Sequence, residues 1–566
     1  MDVEAVRRWI AEDPDPRTAD ELATLLERAA AGDGSASAEA RAELEDRFSG
    51  PLVFGTAGLR GALGGGPNRM NRAVVIRTTA GLTGWLADRL AGAAPRVVIG
   101  YDARHGSAQF ARDVAAVVTG AGGEAMLLPE PGPTPVLAYA VRALDTDAGV
   151  MVTASHNPRE DNGYKVYLGG RVVTDSGQGA QLVSPADAEI AARIDAVGSL
   201  SDVPLPADGW EVLDRSLTEE YIARVAALVP HGYARSLRIV YTPLHGVGGG
   251  VAVAALERAG FGDVHVVAEQ AEPDPDFPTV AFPNPEEPGA LDLAFRLARR
   301  VDADLVIAND PDADRCSVAV PDHDALGGWR QLTGDEVGAL LGKQAAISAA
   351  VTGRGVLASS VVSSRLLARI AESHGLEHRT TLTGFKWISR VPGLVFGYEE
   401  ALGYCVDPEA VRDKDGISAA VRVALAASQL VDQGRTLTDA LDDLALQYGL
   451  HATAPLTLRV SDLSLIPQAM ERLRTAGPAT LAGSPVVRTV DLAEGADGLP
   501  PTEGLVFLTA RGDRAVVRPS GTEPKLKCYL EVIEEVPERD LLYTTRRAAE
   551  ERLDRMKREL GSLIGL

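Results

Sequence analysis

Short apolar runs rich in β-branched residues alternate with Ala-rich stretches of helical period from about residue 49 to about 325, and this alternation restricts the chain to an α/β architecture. The runs are RVVIGYD (96–102), AGVMVTA (148–154), LRIVYT (237–242), DVHVVA (263–268) and ADLVIAN (303–309). Many end in a polar loop, as in GYDARHGS, TASHNP, YTPLHGVGG and NDPDADR. Strand ends are where α/β proteins place ligand sites. GRGVLASSVVSS (353–364) and VPGLVFGYEEALGY (391–404) repeat the same logic in a third unit. Around residue 450 the character changes, with TLRV and LVFLTARGDRAVVRPS preceding the charged helical run TTRRAAEERLDRMKREL, so an α+β domain is expected there. Before residue 49, VEAVRRWI, ADELATLLERAA and EARAELEDRF carry apolar residues at helical spacing between Asp, Pro and Gly breaks and read as surface helices. No exact repeat is visible, so an internal duplication rests on this rhythm alone.

A chain of 566 residues exceeds what one core usually supports, and length alone predicts roughly four domains. The net charge of -23 excludes a broad basic footprint for nucleic acid, so an anionic ligand needs a local cationic pocket. No segment reaches the roughly 18 uncharged apolar residues of a membrane span, and a cytoplasmic location is expected. Cys316, Cys405 and Cys528 are too scattered for a zinc or disulfide framework and read as packing residues.

Four loops carry chemistry. Asp310-Pro-Asp312-Ala-Asp314-Arg315 follows an apolar run, and in an extended loop residues two apart point the same way, so three carboxylates can face one cation. Oxygen ligands favour Mg²⁺ or Ca²⁺. An EF-hand would need Gly at Arg315 and Glu at Pro321, and neither is there. Taken alone, the loop also fits a solvated acidic turn. Thr153-Ala-Ser155-His156-Asn157-Pro158 places a serine beside a histidine that can activate it, without the G-x-S-x-G elbow of serine hydrolases. The same residues would also make a capped turn. Arg518-Pro-Ser520-Gly521-Thr522-Glu523-Pro-Lys525 gathers a guanidinium, two hydroxyls, a glycine and an ammonium, the parts of a phosphate clamp or of a polar hairpin turn. Gly397-Tyr-Glu399-Glu400-Ala-Leu-Gly403-Tyr404 offers carboxylates that accept hydrogen bonds from sugar hydroxyls.

Together, and in this order, these loops resemble the α-D-phosphohexomutase superfamily of phosphoglucomutases and phosphomannomutases, from Phe54-Gly-Thr-Ala-Gly-Leu-Arg60-Gly61 to Pro524-Lys525. The Gly-Tyr-Glu-Glu-Ala-Leu-Gly-Tyr form is similar to the longer branch that includes type-2 phosphoglucomutases and phosphopentomutases. The resemblance implies a heart-shaped four-domain α/β fold, three related domains with mixed sheets and a C-terminal α+β domain. The expected division is a helical extension (1–48), a phosphoserine domain (49–208), a metal domain (209–322), a sugar domain (323–450) and a phosphate domain (451–566). It implies Mg²⁺ on Asp310, Asp312, Asp314 and a phosphate oxygen of Ser155. It implies transfer between phospho-Ser155 and a hexose 1-phosphate or 6-phosphate, with a hexose 1,6-bisphosphate as intermediate and activator. Lys165 and Lys386 are implied as proton carriers, with His156 and Arg60 assisting; a lysine acting as base needs a lowered pKa. Arg315, Glu399, Glu400, Arg518, Ser520, Gly521, Thr522 and Lys525 are implied to bind substrate. Arg60, Lys165, Arg315, Lys386, Arg518 and Lys525 would supply the local positive charge that an acidic protein needs for a sugar phosphate. Pentose phosphates are the alternative substrates. A phosphatase with Asp310 as nucleophile would have no use for the Arg518–Lys525 loop, and a mere sensor none for a nucleophile. Gly246-Val-Gly248-Gly249-Gly250 lacks dinucleotide-loop spacing, and no nicotinamide cofactor is expected.

Overall fold

The computed structural model describes residues 2–565 apart from 33, 54–57, 231, 233–235, 326, 461, 463, 497 and 521–524. The chain forms two compact units, Met1–Arg330 with Asp407–Val421, and Gln331–Val406 with Arg422–Leu566.

The first unit opens with helices Val3–Glu12, Pro16–Ala30 and Ser35–Arg47, which bury Val6, Leu22 and Leu44 among themselves while Trp9 reaches the core of the first sheet. Asp2 and Asp15 start the first two helices by accepting from backbone N–H groups. In the first sheet, Arg96–Tyr101 lies between the parallel strands Glu124–Leu127 and Ala148–Val152, and Asp161–Leu168 runs antiparallel beyond Ala148–Val152. Val97, Val98 and Ile99 are all fully buried, the pattern of parallel strands covered on both faces. Leu59–Ala62 adds an antiparallel edge on Asp161–Leu168.

The second sheet repeats the arrangement. Arg238–Thr242 lies between parallel Asp263–Val266 and Leu305–Asn309, with Cys316–Pro321 antiparallel beyond. The third, in the second unit, does so again: Val356–Ser360 lies between parallel Glu377–Thr381 and Leu394–Glu399, with Gly403–Cys405 antiparallel beyond. The rhythm of the sequence thus reflects one four-strand pattern used three times. The last sheet is different: Leu450–Arg459, Lys525–Glu534, Arg514–Pro519, Leu505–Thr509 and Ser484–Asp491 pair antiparallel in that order. Helices Leu465–Thr475 and Leu542–Ile564 bury Met470, Leu473, Met556 and Leu560 against it. The fold is therefore α/β with mixed sheets plus a C-terminal α+β part. Cys316, Cys405 and Cys528 are buried thiols. Among the described residues no helix is long and apolar enough to cross a membrane.

Candidate active site

In each of the three repeated sheets the turn from the third parallel strand into the antiparallel fourth carries candidate residues: Ser155 in the first, Asp310 to Asp314 in the second, Glu399 and Glu400 in the third. Each turn also holds one non-glycine residue in the left-handed region, Ser155 (φ 53°), Ala313 (φ 55°) and Leu402 (φ 62°). Such residues persist only where the surroundings over-determine them, and they concentrate at functional sites.

The surroundings of Ser155 show how this is achieved. Its N–H donates to Thr153 Oγ1 at 2.9 Å. Arg104, nearly fully buried, donates through Nη2 to the carbonyls of Ser155 (2.7 Å) and Asn157 (2.6 Å), and through Nη1 to those of Pro158 (2.7 Å) and Asp161 (3.1 Å). One guanidinium thus ties down the whole turn. Ser155 Oγ donates to Asp310 Oδ2 at 2.6 Å and stands 3.2 Å from His156 Nδ1. Burial, then the charges of Arg315 and Arg60, hold the His156 pKa well below its usual value, so the ring is neutral. Arg60 Nη1 donates to Asn157 Oδ1 at 3.2 Å.

Asp310, Asp312 and Asp314 are fully buried, with ligand oxygens within 4.8 Å of one another. Asp312 Oδ2 accepts from Thr134 Oγ1 and Lys165 Nζ, both at 2.6 Å. Asp314 Oδ2 accepts from Lys165 Nζ at 2.9 Å and lies 3.2 Å from Lys414 Nζ. Burial and the neighbouring carboxylates push the Asp310 pKa far up. Burial also acts to raise Asp314, but the charges of Lys165, Lys414 and Arg315 outweigh it and hold that carboxyl far down. Backbone packs tightly around the loop. A Cβ on Gly246 would lie 2.4 Å from Pro311 Cα, and one on Gly416 would lie 2.2 Å from the Arg315 carbonyl. The glycine-rich turn near residue 246 therefore serves close approach to the acidic loop.

Asp312 Oδ1 and Asp314 Oδ1 are buried and have no hydrogen-bond partner among the described residues. Leaving a buried carboxylate oxygen unmatched is costly. A hard cation bound by oxygen would satisfy both, so the trio fits Mg²⁺.

The remaining candidates lie in the second unit. Glu399 ends Leu394–Glu399 opposite Gly403. Glu400 Oε2 accepts from Ser360 Oγ (3.1 Å) and Ser363 Oγ (2.9 Å), and burial followed by the nearby Asp335 charge raises its pKa. Arg518 and Lys525 lie on the antiparallel pair Arg514–Pro519 and Lys525–Glu534, where Ser520 N–H donates to the Lys525 carbonyl at 2.8 Å. Arg518 hydrogen-bonds the Tyr529 side chain. Lys386, in the short helix Phe385–Ile388, has its ammonium 5.8 Å from the centre of the Trp387 ring. Gly521 and Thr522 lie outside the described residues, as do Phe54 to Ala57 of the N-terminal motif.

Models of the phosphoglucomutase/phosphomannomutase family match in order: alpha/beta/alpha domain I at residues 51–199, domain II at 219–325, domain III at 333–448 and the C-terminal domain at 458–541. The chain belongs to this family. Phosphohexomutase relatives agree. A Haemophilus influenzae protein named "Probable phosphomannomutase" is 48% identical over 465 residues, covering 82% of this chain and 93% of its own. The human phosphopentomutase is 35% identical over 543 residues, covering 87% and 86%. The solved open form of Paramecium pp63/parafusin, a phosphoglucomutase, is 18% identical, with a TM-score of 0.64 over 92% of this chain and 97% of that one, and shows the shared fold. The protein is an enzyme of the mutase class.

A lysine working as base needs a lowered pKa, and the surroundings of Lys165 act both ways. Burial does act downward, but the Asp312 and Asp314 charges more than offset it, and the shift is upward. In this arrangement Lys165 is a fully protonated partner of the acidic loop. Sequence reading also missed Arg104, Thr134 and Lys414. Arg104 stood in a strand-end loop already marked as polar, whereas Lys414, in Asp413-Lys-Asp-Gly416, lies 100 residues from its partner Asp314.

Proposed function

We propose that this enzyme interconverts hexose 1-phosphates and hexose 6-phosphates, glucose first and mannose as well, through a phosphorylated Ser155 and a hexose 1,6-bisphosphate. The observation that carries the proposal is Ser155 Oγ at 2.6 Å from Asp310, within a buried carboxylate trio that retains unmatched oxygens. A plain hydrolase would not need this serine beside a cation site.

Asp310, Asp312 and Asp314 would hold Mg²⁺, which when bound neutralises charge on the transferring phosphoryl group. Phospho-Ser155 gives up its phosphoryl group: the P–Oγ bond breaks as a bond forms from phosphorus to a sugar hydroxyl oxygen, and that hydroxyl loses its proton. After the bisphosphate turns round, Ser155 takes the other phosphate. Neutral His156, 3.2 Å from Oγ, is placed to relay the serine proton as the ester forms or breaks, without storing it. Lys165 enters as an ammonium and so acts first as proton donor and counter-charge. Lys386 remains a candidate acceptor for the sugar proton. Arg104 and Thr153 keep Oγ aimed, and positioning together with charge neutralisation supplies most of the rate in phosphoryl transfer. We assign Glu399 and Glu400 to sugar hydroxyls, Arg315 to phosphate contact, and Arg518, Ser520, Gly521, Thr522 and Lys525 to the phosphate that does not react.

A second reading, interconversion of ribose or deoxyribose 1-phosphate and 5-phosphate, is favoured by the name of the human relative. One assay separates the two. Glucose 1-, mannose 1- and ribose 1-phosphate are offered with Mg²⁺ and a trace of hexose 1,6-bisphosphate to the wild type and to Ser155→Ala. A 6-phosphate product that Ser155→Ala abolishes is expected. A preference for ribose would move the enzyme to the second reading. Release of inorganic phosphate alone, or full activity in Ser155→Ala, would overturn both.

A further inference from the structure

The most saturated buried carboxylate in the second unit is one the mechanism does not use. Glu531, 1% exposed, lies on Lys525–Glu534. Its Oε1 accepts from Ser364 Oγ (2.8 Å), Arg365 N (2.8 Å) and His451 Nδ1 (3.1 Å, in the tautomer that protonates it). Its Oε2 accepts from Arg365 Nε (2.6 Å) and faces Arg514 Nη2 at 3.3 Å. Arg514, opposite Glu531 on the adjacent strand, donates to the carbonyls of Val361 (3.1 Å) and Ser363 (2.5 Å). Val362 packs between them against Leu492, Val506 and Val516.

A buried ion cluster of this kind is poor evidence for stability, since apolar residues of the same volume often do as well. Its placement is more informative. The segment it grips, residues 361–365, contains Ser363, and with Ser360 this side chain holds Glu400. The two strands it bridges, Arg514–Pro519 and Lys525–Glu534, carry Arg518 and Lys525 near their opposite ends. One node therefore links the carboxylates assigned to the sugar with the strands that carry Arg518 and Lys525, assigned to its phosphate.

We propose that Glu531 and Arg514 are positioning residues that set the spacing between Glu399 with Glu400 and the two cations Arg518 and Lys525, and that this spacing discriminates hexose from pentose phosphates. The proposal rests on the sugar and phosphate roles assigned above. Six-membered and five-membered rings place their hydroxyls at different distances from the phosphate, and a ring whose hydroxyls miss their partners leaves polar groups of the site unpaired, which weakens its binding. A fixed spacing therefore suits one ring size.

The test measures dissociation constants of glucose 6-phosphate and ribose 5-phosphate by calorimetry on the full-length protein, together with kcat and KM for the two 1-phosphates. Wild type, Glu531→Gln, Arg514→Lys and Ser364→Ala are compared. The expected result is a wild-type preference for one sugar that falls roughly tenfold in Glu531→Gln, through weaker binding of the preferred sugar with kcat less affected. Ser364→Ala, which removes a single donor, should move the preference the same way by about threefold and decides the matter if Glu531→Gln does not fold. Equal loss for both sugars, an unchanged ratio, or no preference in wild type would overturn the proposal. A shifted binding ratio in a protein that turns over neither 1-phosphate would instead sink the mutase substrates proposed above while leaving the node intact.

Discussion

A serine in a left-handed turn depends on whatever holds the backbone, and here one guanidinium makes four bonds to carbonyls of the Ser155 turn. Arg104→Ala should lower kcat by about 100-fold with a much smaller change in KM, because it disturbs the aim of Oγ rather than substrate contact. Arg104→Lys should recover part of the loss; equal kcat in Arg104→Ala and wild type, by steady-state assay, would remove Arg104 from the account. A second residue-scale prediction concerns pH. Asp415 is buried and accepts from Tyr221 Oη (2.7 Å), Ile417 N (3.1 Å) and Ser418 N (2.9 Å), and burial pushes its pKa up to about 6. An unfolded Asp titrates near 3.9, so between about pH 4 and 6 the native state keeps a proton that the unfolded state has lost. Its contribution is full below that window and is lost as pH rises through it, about 3 kcal/mol by pH 7. Melting temperatures between pH 4 and 7 should therefore converge less steeply in Asp415→Asn than in wild type; parallel curves would refute the shift. Ser155 and the acidic loop stand out in the sequence because their residue types are written in consecutive positions. Arg104 did not stand out, because its partners are main-chain carbonyls, which no residue type announces.

At the scale of elements, the repeated turn matters more than any single strand. Alternation made the strands legible, and buried parallel strands such as Val97 to Ile99 have few other readings. Strand order, and the antiparallel fourth strand that turns each site loop back on itself, depend on partners far along the chain and left no local trace. The acidic loop is enclosed by backbone from two such distant pieces, at Gly246 and Gly416. Gly416→Ala would press a Cβ into the Arg315 carbonyl and shift the loop. We expect Mn²⁺ affinity, read by electron paramagnetic resonance, to fall about 10- to 100-fold, as for other disturbances behind metal ligands. Unchanged affinity would mean the loop can yield without moving its carboxylates.

For the molecule as a whole, the first compact unit takes in Asp407–Val421 from far downstream. Within that unit Tyr167 Oη and Gln181 Nε2 donate to Asp413 Oδ2 at 2.6 and 2.7 Å, and Arg224 pairs with Asp407 at 2.7 Å. Hydrophobic pattern cannot report a segment anchored by polar bonds. A chain ending at Arg330 should consequently bind Mn²⁺ more weakly than the full protein, and equal affinity would show that the acidic loop is complete without the segment. The same segment has a consequence for biosynthesis. A ribosome that has finished Arg330 must add about 76 more residues before Asp407 emerges, roughly 4–15 s at ordinary elongation rates. Through that interval the nascent chain carries the three aspartates with one of their two ammonium partners still unmade, and the surroundings of the acidic loop are finished by a stretch of messenger translated well after the loop itself.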